Sequence, residues 1–124
     1  MVKSERTIVS REISGTTDSA STKLIIGKIT SIKIYAEVGF NIKAITENCP
    51  VPEYILGGAA AVIAIAAGYT TLYPRIIGND NVTGAAIPAA DNLYQQMAIA
   101  GTILFSVSGA TTSKDWYVEV IYEN

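Results

Sequence analysis

Histidine, the side chain that most often moves protons near neutral pH, is absent from all 124 residues, so acid–base chemistry would fall to carboxylates or to a lysine. Between Tyr54 and Ser113 the only charged side chains are Arg75, Asp80 and Asp91. Neither aspartate has a second carboxylate in its neighbourhood with which to split acid and base roles. Ser113-Lys114 would offer a serine with a lysine base, yet adjacent residues of a strand or turn diverge. The single cysteine, Cys49, lies in the turn-like Asn48-Cys49-Pro50 with no histidine to generate its thiolate, and alone it cannot form an internal disulfide. Asn79, Asp80 and Asn81 hold oxygens that a calcium ion could use, but a calcium loop needs more carboxylates over a longer pattern. Asn81-Val82-Thr83 matches the glycosylation triplet by chance, and Gly57-Gly58 lacks the Gly-Lys-Ser/Thr ending of a phosphate loop. No catalytic residue, metal ligand or cofactor site emerges, and the chain reads as a non-enzyme.

The scarcity of charge carries the next step. Charged residues make up 16% of the chain and apolar ones 49%, against roughly a quarter charged in ordinary soluble domains. A monomer needs charge over most of its surface, so the neutral middle is expected to be covered, by its own core or by other copies of the chain. Met1 to Lys43 holds seven basic and four acidic residues, and the remainder two basic and seven acidic. Lys28, Lys33 and Lys43 are too dispersed for a nucleic-acid footprint. No secretion signal is visible at the N-terminus. A membrane helix over Tyr54 to Pro74 is disfavoured, because its apolar part, Ile55 to Ala67, is short and diluted by glycine and alanine.

The recurrent period is two, the signature of strands with one buried face. Ile32, Ile34, Ala36 and Val38 alternate with Lys33, Tyr35 and Glu37. After Gly39, a point where a strand could bend and change partner, the alternation resumes through Phe40, Ile42 and Ala44. Near the C-terminus Ile103, Phe105 and Val107 share one face, as do Trp116, Val118, Val120 and Tyr122. These two strands are expected to form a hairpin across Ser108 to Asp115, with Trp116 as a core anchor and Glu119 and Glu123 solvated. Ala59 to Gly68 is alanine-rich enough for a helix, but its central Val62, Ile63 and Ile65 favour a fully buried strand. Leu72 to Ile77 reads as an edge or bulged strand around Pro74, Gly78 to Gly84 as a loop, and Ala85 to Gln96 as an excursion with a helical turn capped by Asp91.

Residues 1–22 differ in character. Ile8, Val9 and Ile13 stand among charged neighbours, and Ser14 to Thr22 is a small, polar run of the kind that makes a tether. Two pairings are open to this arm: within its own sheet, or as a strand added to a neighbour's sheet edge. Residues 23–124 then form one domain, an all-β antiparallel sandwich of jelly-roll type.

In Tyr54-Ile55-Leu56-Gly57-Gly58, Tyr73-Pro74-Arg75, and Gly101 to Val107 leading into Asp115-Trp116-Tyr117-Val118-Glu119-Val120, the chain resembles the small β-sandwich virion proteins of tailed phages, the capsid decoration or cement proteins and related head accessory proteins. The resemblance implies a non-enzymatic homotrimer that sits on a capsid lattice in the virion and reinforces it, with the major capsid protein as partner and no nucleic acid, membrane or cofactor. Ile8, Val9, Ile13, Tyr69 and Tyr73 are the candidate interface residues. A different class of function, a carbohydrate- or ligand-binding sandwich, would use Tyr69, Tyr73 and Tyr94 as stacking rings.

Overall fold

The computed structural model describes residues 2–12, 17–47, 52–77, 94–111 and 114–123, and among them every regular element is a strand. In chain order these are β1 (Val2–Glu12), β2 (Asp18–Ser21), β3 (Ile25–Ala36), β4 (Phe40–Glu47), β5 (Tyr54–Leu56), β6 (Ile63–Ile65), β7 (Gly68–Leu72), β8 (Arg75–Ile77), β9 (Tyr94–Gln96), β10 (Ala98–Ser108) and β11 (Asp115–Glu123). All pairings are antiparallel. The all-β antiparallel class expected from the period-two pattern is therefore what forms. No helix among the described residues is long and apolar enough to cross a membrane.

Nine strands make one curled sheet. Its first wall runs β1-β11-β3-β7, and its second wall sets β10 between β2 and β4, with β5 and β6 on the far side of β4. The walls are continuous because the start of β10 leaves the second wall and pairs with the start of β3, Ala98–Gly101 against Ile25–Lys28. Alternation puts one face of β3, β4, β10 and β11 inward, with a slip in β3 around Thr30. Ile29, Ile32 and Ile34 of β3, Phe40 and Ile42 of β4, Ile103 and Phe105 of β10, and Trp116, Val118 and Val120 of β11 belong to one core. At one end of it the Phe40 and Trp116 rings meet edge to face, with centroids 6.1 Å apart.

Several expectations need correction. Ser108 to Asp115 is not a hairpin turn, because β10 pairs with β2, β3 and β4 while β11 pairs with β1 and β3. Both strands have a fully apolar face, and they bury those faces in the same core from opposite walls instead of lying side by side. The reversal starts at Gly109, whose φ of +70° suits glycine; a β-carbon there would sit 2.7 Å from Asn41 Nδ2. The β3–β4 junction at Gly39 behaves likewise, since β3 and β4 share no pairing. The two reversals are clipped together: Glu37 N–H donates to the Asp115 carbonyl, and Asp115 N–H to Glu37 Oε2, both at 3.2 Å.

Residues 59–68 are strand only at Ile63–Ile65 and from Gly68 onward, and Ala59 to Val62 are exposed rather than buried. A tight turn with reciprocal backbone bonds between Gly58 and Ala61 occupies the first part. It needs Gly57 at φ +72°, where a β-carbon would lie 2.6 Å from the Ala61 carbonyl oxygen. Leu72 to Ile77 is broken at Tyr73-Pro74 into β7 and β8, as the missing proline N–H dictates. Of the polar run expected as a tether, Asp18–Ser21 forms β2 on β10. The N-terminal strand β1 pairs within its own chain, in register from Val2↔Glu123 to Val9↔Trp116. Cys49, Asp80, Asp91, the Asn81 triplet and the expected helical turn lie outside the described residues.

Candidate interaction face

The outward positions of the first wall are fixed by the inward ones. Because Ile34 and Ala36 of β3 and Trp116 and Val118 of β11 are buried, Tyr35 and Tyr117 between them must face out. The register sets Tyr117 opposite Tyr35, and Tyr35 opposite Tyr69 of β7. Three tyrosines from three adjacent strands thus form one row. Tyr35 and Tyr117 are stacked at 5.1 Å and 19°, Tyr69 leans on Tyr35 at 5.0 Å, and the Tyr69–Tyr117 centroids are 6.2 Å apart. Tyr69 is 64% exposed.

The next row out is charged. Glu119 of β11 is opposite Lys33 of β3, which is opposite Thr71 of β7. The Lys33 ammonium lies over the Tyr69 ring, 5.2 Å from its centroid, a cation–π contact that favours this orientation of the exposed ring. On the other side of β11 the same two rows continue into the backbone of β1, where Ile8 is paired with Tyr117 and Arg6 with Glu119.

The candidate interface residues separate as follows. Ile8 and Tyr69 fall in one cross-strand row, at opposite edges of the wall. Val9 is paired with Trp116, and Ile13 lies outside the described residues. Tyr73 is 64% exposed just past β7, with the Arg75 guanidinium 5.9 Å from its ring. Tyr94, the third ring offered for stacking, begins β9 opposite Ile77. Tyr35 and Tyr117 were missed by the sequence reading. The signal was present, since both sit between inward residues of clear strands, but only the register shows that they meet.

Arg75 has a second role. Between Ile121↔Ser31 and Tyr122↔Ile29 the β3–β11 register slips, leaving Thr30 as an extra residue. Arg75 Nη1 donates to the Thr30 carbonyl at 3.1 Å and to the Pro74 carbonyl at 2.7 Å, and Gln96 Nε2 reaches Thr30 Oγ1 at 3.3 Å. The bulge is therefore the anchor point of the β8–β9 ribbon.

No protein family, curated protein or solved structure matches the chain. Its function has to be argued from its own surface. Among the described residues no three His, Cys, Asp or Glu side chains gather where they could hold a metal ion. The aromatic row offers neither an acid–base pair nor a nucleophile with its base. What it offers is a row of rings beside a charged row, and tyrosine is among the residue types enriched at the centres of protein interfaces. Other exposed apolar groups extend this character: Leu24 is 62% exposed, and Ile26 (60%) borders a groove of about 480 Å³ where β3 and β10 join the walls.

Proposed function

We propose that this chain is a non-enzymatic structural protein that assembles with copies of itself, as a trimer, and docks on a larger protein lattice. This is the capsid-decoration role implied by its resemblance to the small virion proteins of tailed phages. The observation that carries the reading is the Tyr69–Tyr35–Tyr117 row: a wall whose inner face is already saturated by the core presents three contiguous rings on its outer face, flanked by the Glu119–Lys33 row. Aromatic rings bury large area with few rotors to freeze, which suits a flat contact. The uncharged segment from Ala59 to Ala67, exposed except at Ile63 and Ile65, adds a second neutral surface at the edge of the other wall, as expected of a chain that covers its charge-poor middle by association.

The test joins native mass in solution with a search for the chain in purified virions by mass spectrometry. A trimer that is found in virions and co-sediments with capsids supports the reading, and a monomer at high micromolar concentration that is absent from virions overturns it. Within a positive result, Tyr69→Ala should weaken capsid binding by about 30-fold, the equivalent of a ~2 kcal/mol hot spot.

A further inference from the structure

Three of the chain's seven tyrosines stand in one contact group, and the strands beneath decide which of them meet face to face. Tyr35 of β3 and Tyr117 of β11 are directly opposite one another, which sets their β-carbons about 5 Å apart. Their rings are stacked at 5.1 Å with 19° between the planes, whereas Tyr69 meets Tyr35 at 52° and Tyr117 at 66°. Tyr35 and Tyr117 are half-buried and Tyr69 is exposed, so the row is open to a dissolved oxidant. Trp116, the other easily oxidised ring of this wall, is buried on the opposite face.

That arrangement suits one reaction. A phenol that gives up an electron loses its hydroxyl proton to water and becomes a phenoxyl radical, whose unpaired electron is shared with the ring carbons ortho to the oxygen. Two such radicals pair their electrons in a carbon–carbon bond between those ortho positions. The hydrogen on each joined carbon then passes through water to the ring oxygen, and both phenols are restored. The net change removes two electrons and two protons, which one hydrogen peroxide, acting through a haem peroxidase, takes up to form two waters. The orbitals that pair stand perpendicular to the rings, so near-parallel stacked faces overlap and rings tilted at 52° do so poorly. Elsewhere a tyrosyl radical must wait for a second ring to arrive, but here the partner is in place, the advantage that positioning gives any bimolecular step. The new bond draws the two centroids somewhat closer and turns the rings toward edge-on, which their outward position permits.

We propose that Tyr35 and Tyr117 form an oxidative cross-linking site, which a peroxide-driven one-electron oxidant converts to an intrachain dityrosine that joins β3 to β11. The site goes beyond the docking reading and does not depend on it.

The test treats the folded full chain with hydrogen peroxide and a haem peroxidase, then digests it with trypsin. The expected product joins the peptide Ile34–Lys43 to Asp115–Asn124, is lighter than the two together by two hydrogen atoms, and shows dityrosine fluorescence. Before digestion it runs as a single chain on a denaturing gel. Tyr35→Phe and Tyr117→Phe keep a ring at each outward position but lack the phenol, and each should abolish this bond, whereas Tyr69→Phe should leave it in the same place. In urea the yield should fall by about tenfold or more, because the long intervening loop then has to close by diffusion. The proposal is overturned by the absence of the joined peptide, by cross-links formed only between chains, or by a bond that Tyr35→Phe or Tyr117→Phe retains. A bond that Tyr69→Phe abolishes, or an equal yield in urea, overturns it as well.

Discussion

Trp116 shows how one side chain can join three levels of the structure. Its ring is 1% exposed and fills the end of the core against Phe40, while its indole N–H reaches Asp18 on the far wall. Trp116→Ala empties a large buried site and should lower stability by about 3–5 kcal/mol, measured by urea unfolding of the whole chain. Asp18→Ala leaves the cavity filled but orphans a buried donor, so a smaller loss of about 1–3 kcal/mol is expected. Asp18→Asn retains an acceptor and should recover most of that loss. Equal losses for alanine and asparagine at Asp18 would mean that the hydrogen bond contributes nothing. Gly109 makes a separable case: Gly109→Ala should cost about 1–3 kcal/mol from its positive φ, plus the collision with Asn41 Nδ2. Adding Asn41→Ala should relieve only the second part, which a double-mutant cycle reads directly.

At the level of elements, alternation proved a good guide to faces and a poor guide to partners. Ile32 to Ala36 and Trp116 to Tyr122 are legible as strands with a known inward side, because the period of two follows from backbone geometry alone, although β3 ends at Ala36 and not at Val38. That β11 lies beside β3 and β1, with β10 in the other wall, depends on how two apolar faces find each other across a core, and neither sequence carries a mark of it. The strand β2 was hidden for another reason. Ser and Thr suit loops and sheet surfaces alike, and what makes Asp18–Ser21 a strand is its pairing with Leu104–Val107 and the pull of Trp116 on Asp18. The candidate face was half legible: Tyr69 was singled out, whereas Tyr35 and Tyr117 needed the register. The ribbon β8–β9 gives a prediction at this scale. Arg75→Ala removes the donor that satisfies the Thr30 bulge, so amide exchange should accelerate by about tenfold or more in Arg75–Ile77 and Tyr94–Gln96 while β10 and β11 keep their protection, as expected for a locally opening unit.

For the whole molecule, the N-terminal segment divides at about Glu12. Removing residues 1–12 takes away a strand that pairs with β11 alone in the curled sheet, and the remainder should fold, as circular dichroism and a cooperative melt would show. Removing residues 1–22 also deletes the acceptor for Trp116 and the reciprocal bonds between Thr22 and Ile103, each 3.0 Å, so this longer truncation should melt markedly lower. If the two truncations melt alike, β2 is dispensable. In the docking reading the shorter truncation is also the clean probe of whether β1 contributes to attachment, because β1 is the end strand of its wall, paired with β11.

The strand that joins the two walls, β10, is made after every strand it pairs with. Until Ala98–Ser108 has left the ribosome, β3 lacks its junction partner and β4 lacks its long neighbour, and β1 has nothing beside it until Asp115–Glu123 follows. Closure of the sheet during synthesis therefore waits for Ala98–Ser108 and Asp115–Glu123. A topology of this kind, with so few neighbours adjacent in sequence, belongs to the slow class that completes in about milliseconds to seconds. Until then the isoleucine-rich β3 has only β7 beside it, so any inclusion-body formation at high expression rates is expected to fall with slower synthesis rather than with greater native stability, as soluble yield at reduced induction temperature would show.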